Sequence, residues 1–194
     1  MRRLKLLPLL TLLLLSVYST TAENIAIFEE LDQIIQQSES FVNEKLARIS
    51  YIEKQLDNSR LTSLQRYNLY KTLYKEYYAF QFDRAMDVLG KRYALSQQMG
   101  NRALMIDDQI DRARLYATSG MYFEAGDMLD NHIDTLCLTR QQKIAYYEAQ
   151  QRFHSDFWHY TSDLEKKQLS GVKKVYYREQ ILKLTSPDDP IYQY

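Results

Sequence analysis

Two histidines flank an aspartate in His154-Ser155-Asp156-Phe157-Trp158-His159, the nearest approach in this chain to a metal-binding cluster. On a helix, a separation of five residues turns the two imidazoles about 140 degrees apart, whereas zinc-binding helices favour spacings of three or four, as in His-Glu-x-x-His. Ordinary polar or partly buried histidines are expected, and no metal site is assigned. Cys137 follows His132 by five positions, a pairing that nucleophilic catalysis could use. It stands between Leu136 and Leu138 at an expected helix end, where a small buried cysteine is commonplace. Asp107-Asp108 and Asp188-Asp189 lack a general-acid partner and a calcium-loop pattern, and read as solvated turns or helix starts. No catalytic residue and no cofactor is expected, and the chain reads as a non-enzyme.

Tyrosine is the residue type that asks for a functional reading. There are 17, with clusters at Tyr67, Tyr70, Tyr74, Tyr77 and Tyr78 and again at Tyr146, Tyr147 and Tyr160. Tyrosine offers a large amphipathic contact surface at low entropic cost, which suits the recognition of peptides or of sugar faces. The first five are the candidate partner-binding residues. About a third of all the tyrosines are expected to line an open groove, the number of face positions that a stacked helix leaves uncovered; the remainder pack between helices with the hydroxyl at the edge.

The elements that must position these side chains are helices. Glycine (5) and proline (3) are scarce, the prolines stand at the ends of the chain, and no β-branched alternation between turn residues is present. Phe28, Ile35, Val42, Ile49 and Leu56 recur every seven residues, with Leu31 and Ile52 beside them, so residues 24–58 form one long helix. Ser38 and Lys45 interrupt its second seam position, which favours packing against neighbouring helices and leaves a homodimer through this helix as the alternative. Thr62 with Gln65 and Thr139 with Gln142 have capping-box spacing and start helices. Asp83 is expected to cap a helix running to the Gly100-Asn101 stop. Further helices are expected over Ala103 to Thr118, with Ile106, Ile110, Ala113 and Ala117 inward, over Tyr122 to Leu136, and over Arg140 to His159. A shorter one from about Asp163 should end near Gly171, before a final piece from Val172 to Leu184.

Two corners repeat forty positions apart, Phe80-Gln81-Phe82-Asp83-Arg84-Ala85 and Gly120-Met121-Tyr122-Phe123-Glu124-Ala125. This register aligns Phe82 with Tyr122, Ala85 with Ala125, and Leu89 with Leu129 and Leu169. A small residue is needed where antiparallel helices approach to about 8–10 Å, and an aromatic at the turn plugs the end of the groove between them. Gly120 supplies a left-handed helix end. Ala113, Tyr116, Gly120, Tyr122, Ala125 and Leu129 thus resemble the signature of tetratricopeptide repeats, with a period longer than the usual value of about 34. The resemblance implies an all-α helical-repeat solenoid of tetratricopeptide-like hairpins preceded by one long helix, and a binding surface rather than a reaction centre. The layout is also similar to a family of envelope proteins from Bacteroides-type bacteria, which share an export signal, a heptad-patterned helix, an Arg-Tyr-x-Leu-Tyr segment (Arg66 to Tyr70) and Phe-x-Phe/Tyr-Asp-x-Ala (Phe80 to Ala85). In that family a membrane helix and a regulatory cytoplasmic portion usually follow, which implies that this chain is a truncated or sensor-only version.

Met1 to Lys5 is basic, Leu6 to Val17 is apolar but shorter than the roughly 20 residues of a membrane span, and Thr20-Thr21-Ala22 offers a cleavage site. Residues 1–22 read as a signal peptide, 23–60 as the long helix, 61–186 as the repeats, and 187–194 as a tail cut short within an array. Export to the periplasm or cell envelope is expected, with no transmembrane helix in the mature chain. Lys+Arg 25 against Asp+Glu 25, with no basic run longer than a pair, argues against nucleic acid as a partner. The expected ligand is a protein or peptide, with a carbohydrate or small ligand on the aromatic face as the alternative.

Overall fold

In this computed structural model the described residues are 6–186 for the backbone and 27–186 for the side chains. The basic start of the expected signal peptide and the tail at 187–194 lie outside the described residues, as do the side chains of the apolar run and the cleavage site. Among the described residues there is no strand, and no helix is long and apolar enough to cross a membrane. The chain divides into two compact units, 1–50 and 51–194.

The first unit is helical, formed by α1 (Leu6–Leu56), whose residues from Tyr51 onward belong to the second. Phe28, Leu31, Ile35 and Val42 are exposed, and Ile49 is buried. Ile27, Ile34, Phe41 and Leu46 of the same helix are also exposed.

The second unit stacks three helical pairs: α2 (Ser63–Tyr77) with α3 (Phe82–Gln98), α4 (Arg102–Thr118) with α5 (Tyr122–Asp127), and α6 (Arg140–Tyr160) with α7 (Leu164–Leu184). Both expected capping boxes are present, at Thr62/Gln65 and Thr139/Gln142. Arg66 donates to the Leu56 carbonyl at 2.8 Å and to that of Asn58 at 3.2 Å, so the arginine of the Arg-Tyr-x-Leu-Tyr segment satisfies acceptors left over at the end of α1. The repeat-defining residues are where close packing needs them. Ala85, Leu89, Ala113 and Ala125 have no exposed surface, Leu129 is buried, and Phe82 and Tyr122 are half-buried at the corners. Gly100 (φ 60°) and Gly120 (φ 77°) turn the chain in the left-handed region. Around Gly120, Met121 N–H reaches the Tyr116 carbonyl at 2.9 Å and Gly120 N–H that of Ala117 at 3.1 Å, closing the helix end without a strained side chain.

Several local expectations are corrected. The N-cap of α3 is Gln81, without a side-chain bond, and Asp83 sits within the first turn as a favourable negative charge. The helix expected over Tyr122 to Leu136 is α-helical only to Asp127, widens into a π turn over Met128–His132 and ends in a 3₁₀ turn at Thr135–Cys137. The Asp127 carboxylate accepts from Asn131 Nδ2 at 2.8 Å and His132 Nε2 at 3.0 Å, and the five-residue reach matches the wider turn. Cys137 is exposed rather than buried. Gly171 does not stop a helix: its φ is not left-handed and α7 runs through it beside the Trp158 indole, which Lys167 and Lys174 cover at 4.6 and 4.9 Å. Leu169 is exposed, so the forty-residue register ends with the second pair.

A groove along the first helices of the three pairs

Lys71, Tyr74, Lys75 and Tyr78 recur at the spacing that places them on one helical face of α2 and its C-cap. Asp107, Asp111 and Arg114 do the same on α4, and Gln142, Glu148 and Arg152 on α6. Together these faces enclose a groove of about 610 Å³. Cross-links between neighbouring helices fix its walls. Tyr74 donates its hydroxyl to the Asp111 carbonyl at 3.0 Å. Arg114 pairs with Glu148 and donates to the Ala145 carbonyl at 3.1 Å. Gln142 Nε2 bridges back to the Ala103 carbonyl at 2.9 Å and Asp107 Oδ1 at 2.8 Å, while Arg152 is held by Asp156 at 2.6 Å. Lys71 and Lys75 project from α2 without an ion-pair partner among the described residues, so this wall carries uncompensated positive charge.

Beneath this floor lies a charged network that the sequence reading did not find. Arg92 is fully buried, its guanidinium 5.3 Å from the Tyr67 ring centre and 5.4 Å from that of Tyr74. Nε donates to Asp108 Oδ1 at 2.6 Å and Nη2 to Asp111 Oδ2 at 2.7 Å, whereas Nη1 is buried without a partner. Asp108, read as solvated, is buried and also accepts from Ser96 Oγ and Tyr67 Oη, each at 3.0 Å. Burial pushes the Asp108 carboxyl up, opposed by Arg92 and by these hydrogen bonds, and burial likewise raises Tyr67 and Tyr74. Two aromatic faces and two carboxylates hold the arginine between the first and second pairs, which makes it a structural clamp under the groove.

The five candidate tyrosines consequently separate. Tyr74 and Tyr78 line the groove, with ring centres 5.6 Å apart, and Tyr78 is the more accessible of the two. Tyr67 is consumed by the Arg92–Asp108 network. Tyr70 and Tyr77 lie on the other side of α2, where Tyr77 donates to Glu53 Oε1 at 2.9 Å. In the third pair Tyr146 is buried and donates to the Leu129 carbonyl at 3.2 Å, Tyr147 is half-buried, and Tyr160 is exposed. The two histidines also part: His154 is buried against α7, with Nδ1 3.4 Å from Ser170 Oγ and its ring stacked on Tyr177, while His159 is exposed beside Trp158.

The model of one protein family, described as the SusR N-terminal TPR domain, matches residues 35–194. Among curated proteins and among solved structures no match was found.

Proposed function

Because the chain belongs to the SusR N-terminal TPR domain family, we propose that it is an exported, non-enzymatic helical-repeat module that binds a protein or peptide in the groove of α2, α4 and α6, as the sensing part of an envelope regulator. The observation that carries this reading is the groove itself. It draws one face from the same helix of three successive pairs, and it mixes a tyrosine edge with fixed hydrogen-bonding groups and two free ammonium groups, the make-up of a recognition surface. A photo-crosslinker at position 78 in cells should capture a specific protein, and Lys71→Glu with Lys75→Glu should reduce that capture by about tenfold. Failure to capture any protein from the envelope, with the variants folded, would count against the assignment.

A sugar ligand is the second reading, because Tyr78 shares the groove with carboxylates and amides that could pair with hydroxyls. Calorimetry with purified oligosaccharides separates the two: a saturable heat that Tyr78→Ala abolishes would favour the sugar. Export rests on the basic, apolar and small-residue order of residues 1–22. The mature protein recovered from the periplasm is expected to begin at Glu23, and recovery only from the cytoplasm with Met1 intact would overturn this.

A further inference from the structure

A second concavity, of about 770 Å³, lies between the corner that follows α4, the π turn and the second half of α6. Its wall is aromatic. The Tyr122 ring lies 4.8 Å from that of Tyr160, 5.6 Å from Phe157 and 6.3 Å from Phe153, and Phe153 stacks on Phe157 at 5.8 Å and 12°. Phe123 is 86% exposed and Tyr160 71%, so much of this aromatic surface faces water. Gly126 borders this wall, with a Cβ at that position standing 3.4 Å from Phe153 Cζ.

The rim has a single sign of charge. Glu124, Asp127 and Asp130 line the cleft and no lysine or arginine does, in a chain whose charges balance overall. Asn131 and His132 donate to Asp127 and hold its carboxyl below the usual range, so it is anionic at neutral pH. Glu124 has no ion-pair partner among the described residues, and Asp130 meets only the Gln150 amide, at 3.4 Å. Arg152, on the same helix as the aromatic wall, is committed to Asp156. Exposed ring faces beside uncompensated carboxylates attract an organic cation and repel anions. Of the cationic side chains, the guanidinium is planar, weakly hydrated and able both to stack on a ring and to pair with a carboxylate through two N–H groups.

We propose that this cleft is a second binding site, separate from the groove, that takes an arginine side chain presented by a peptide segment of a protein partner. Its lining comes from residues 120–131 and 153–160, none of which lines the groove, so failure of either reading leaves the other standing.

The test is an amide NMR titration of the whole chain with a capped Gly-Arg-Gly peptide, alongside its lysine and citrulline counterparts and tetramethylammonium. The arginine peptide is expected to give saturable shifts confined to residues 120–131 and 153–160, with a Kd of about 1 mM, as befits one side chain. Citrulline, which keeps the shape and loses the charge, should bind at least about tenfold more weakly. Glu124→Gln, an exposed change that leaves packing alone, should weaken binding about threefold, and Glu124→Gln with Asp127→Asn about tenfold. Equal binding of the citrulline peptide, no shift at about 10 mM, shifts confined to the groove, or unchanged affinity in the variants would each overturn the site. Tetramethylammonium binding as tightly as the arginine peptide would overturn the peptide as occupant.

Discussion

Replacing Arg92 with methionine is expected to lower unfolding free energy by about 3–5 kcal/mol, the largest loss of any single substitution considered for this fold. The side chain is fully buried, and its removal leaves the Asp108 carboxylate in an apolar setting with only Ser96 and Tyr67 to solvate it. The desolvation cost of Asp108, now offset by Nε at 2.6 Å, would then be uncompensated. Arg92→Met combined with Asp108→Leu should recover most of the loss, because a neutral apolar pair of similar volume removes both buried charges together. Asp111 needs no replacement, since its side chain retains some access to water. Urea denaturation of the wild type, the single variant and the double variant decides the matter. A single-variant loss below about 1 kcal/mol would show that the clamp contributes little net energy. The deficit of the single variant should shrink as pH falls, because a buried carboxyl without its cation is stabilised by taking up a proton.

His154 should give the fold a pH dependence of its own. Burial against α7 and the nearby Lys173 push its pKa down to about 4, partly opposed by Asp130, while the unfolded chain titrates near 6.5. The folded state therefore binds fewer protons between these values. Its stability contribution is complete above about pH 6.5 and is lost as pH falls toward about 4, an effect of about 2–3 kcal/mol after allowance for residual solvent screening. His154→Phe keeps a ring over Tyr177, which lies 5.8 Å away and nearly parallel, and has nothing to protonate. Melting temperatures recorded from pH 7 to pH 4 should fall more steeply for the wild type than for the variant; parallel curves would show that the imidazole remains hydrated.

The helices were legible because their signals are local. Capping boxes at Thr62 and Thr139, the small residues Ala85, Ala113 and Ala125, and the left-handed Gly120 act over one turn or one crossing, and each is where the spacing required it. The buried stripe of α3 also carried a visible anomaly, for Ala85, Val88, Leu89, Arg92 and Ser96 fall on one face and the last two are polar. Following that stripe would have marked Arg92 as buried. Its carboxylate partners could not be named that way, because Asp108 and Asp111 come to it from α4 only through the stacking of the pairs. The same limit governed the tyrosines: Tyr74 and Tyr77 are three residues apart, yet one turns to Asp111 and the other to Glu53. Gly171 misled for a related reason. A glycine that ends a helix in the left-handed region, as Gly120 does, and one carried within a helix, as Gly171 is, look alike in the sequence.

The two seams of the stack differ in what crosses them. Between the first and second pairs the ionic link is a dry guanidinium locked to α4, whereas between the second and third the Arg114–Glu148 ion pair is reachable by water and a buried apolar cluster of Ile110, Ala113, Leu129 and Ala149 lies beside it. A slip of one helical turn at the first seam would strand a charge in oil; at the second, solvent would take up the freed Arg114 and Glu148 charges. A load that slides the first pair past the second must therefore expose a buried charge, a cost that the water-accessible ion pair between the second and third does not carry.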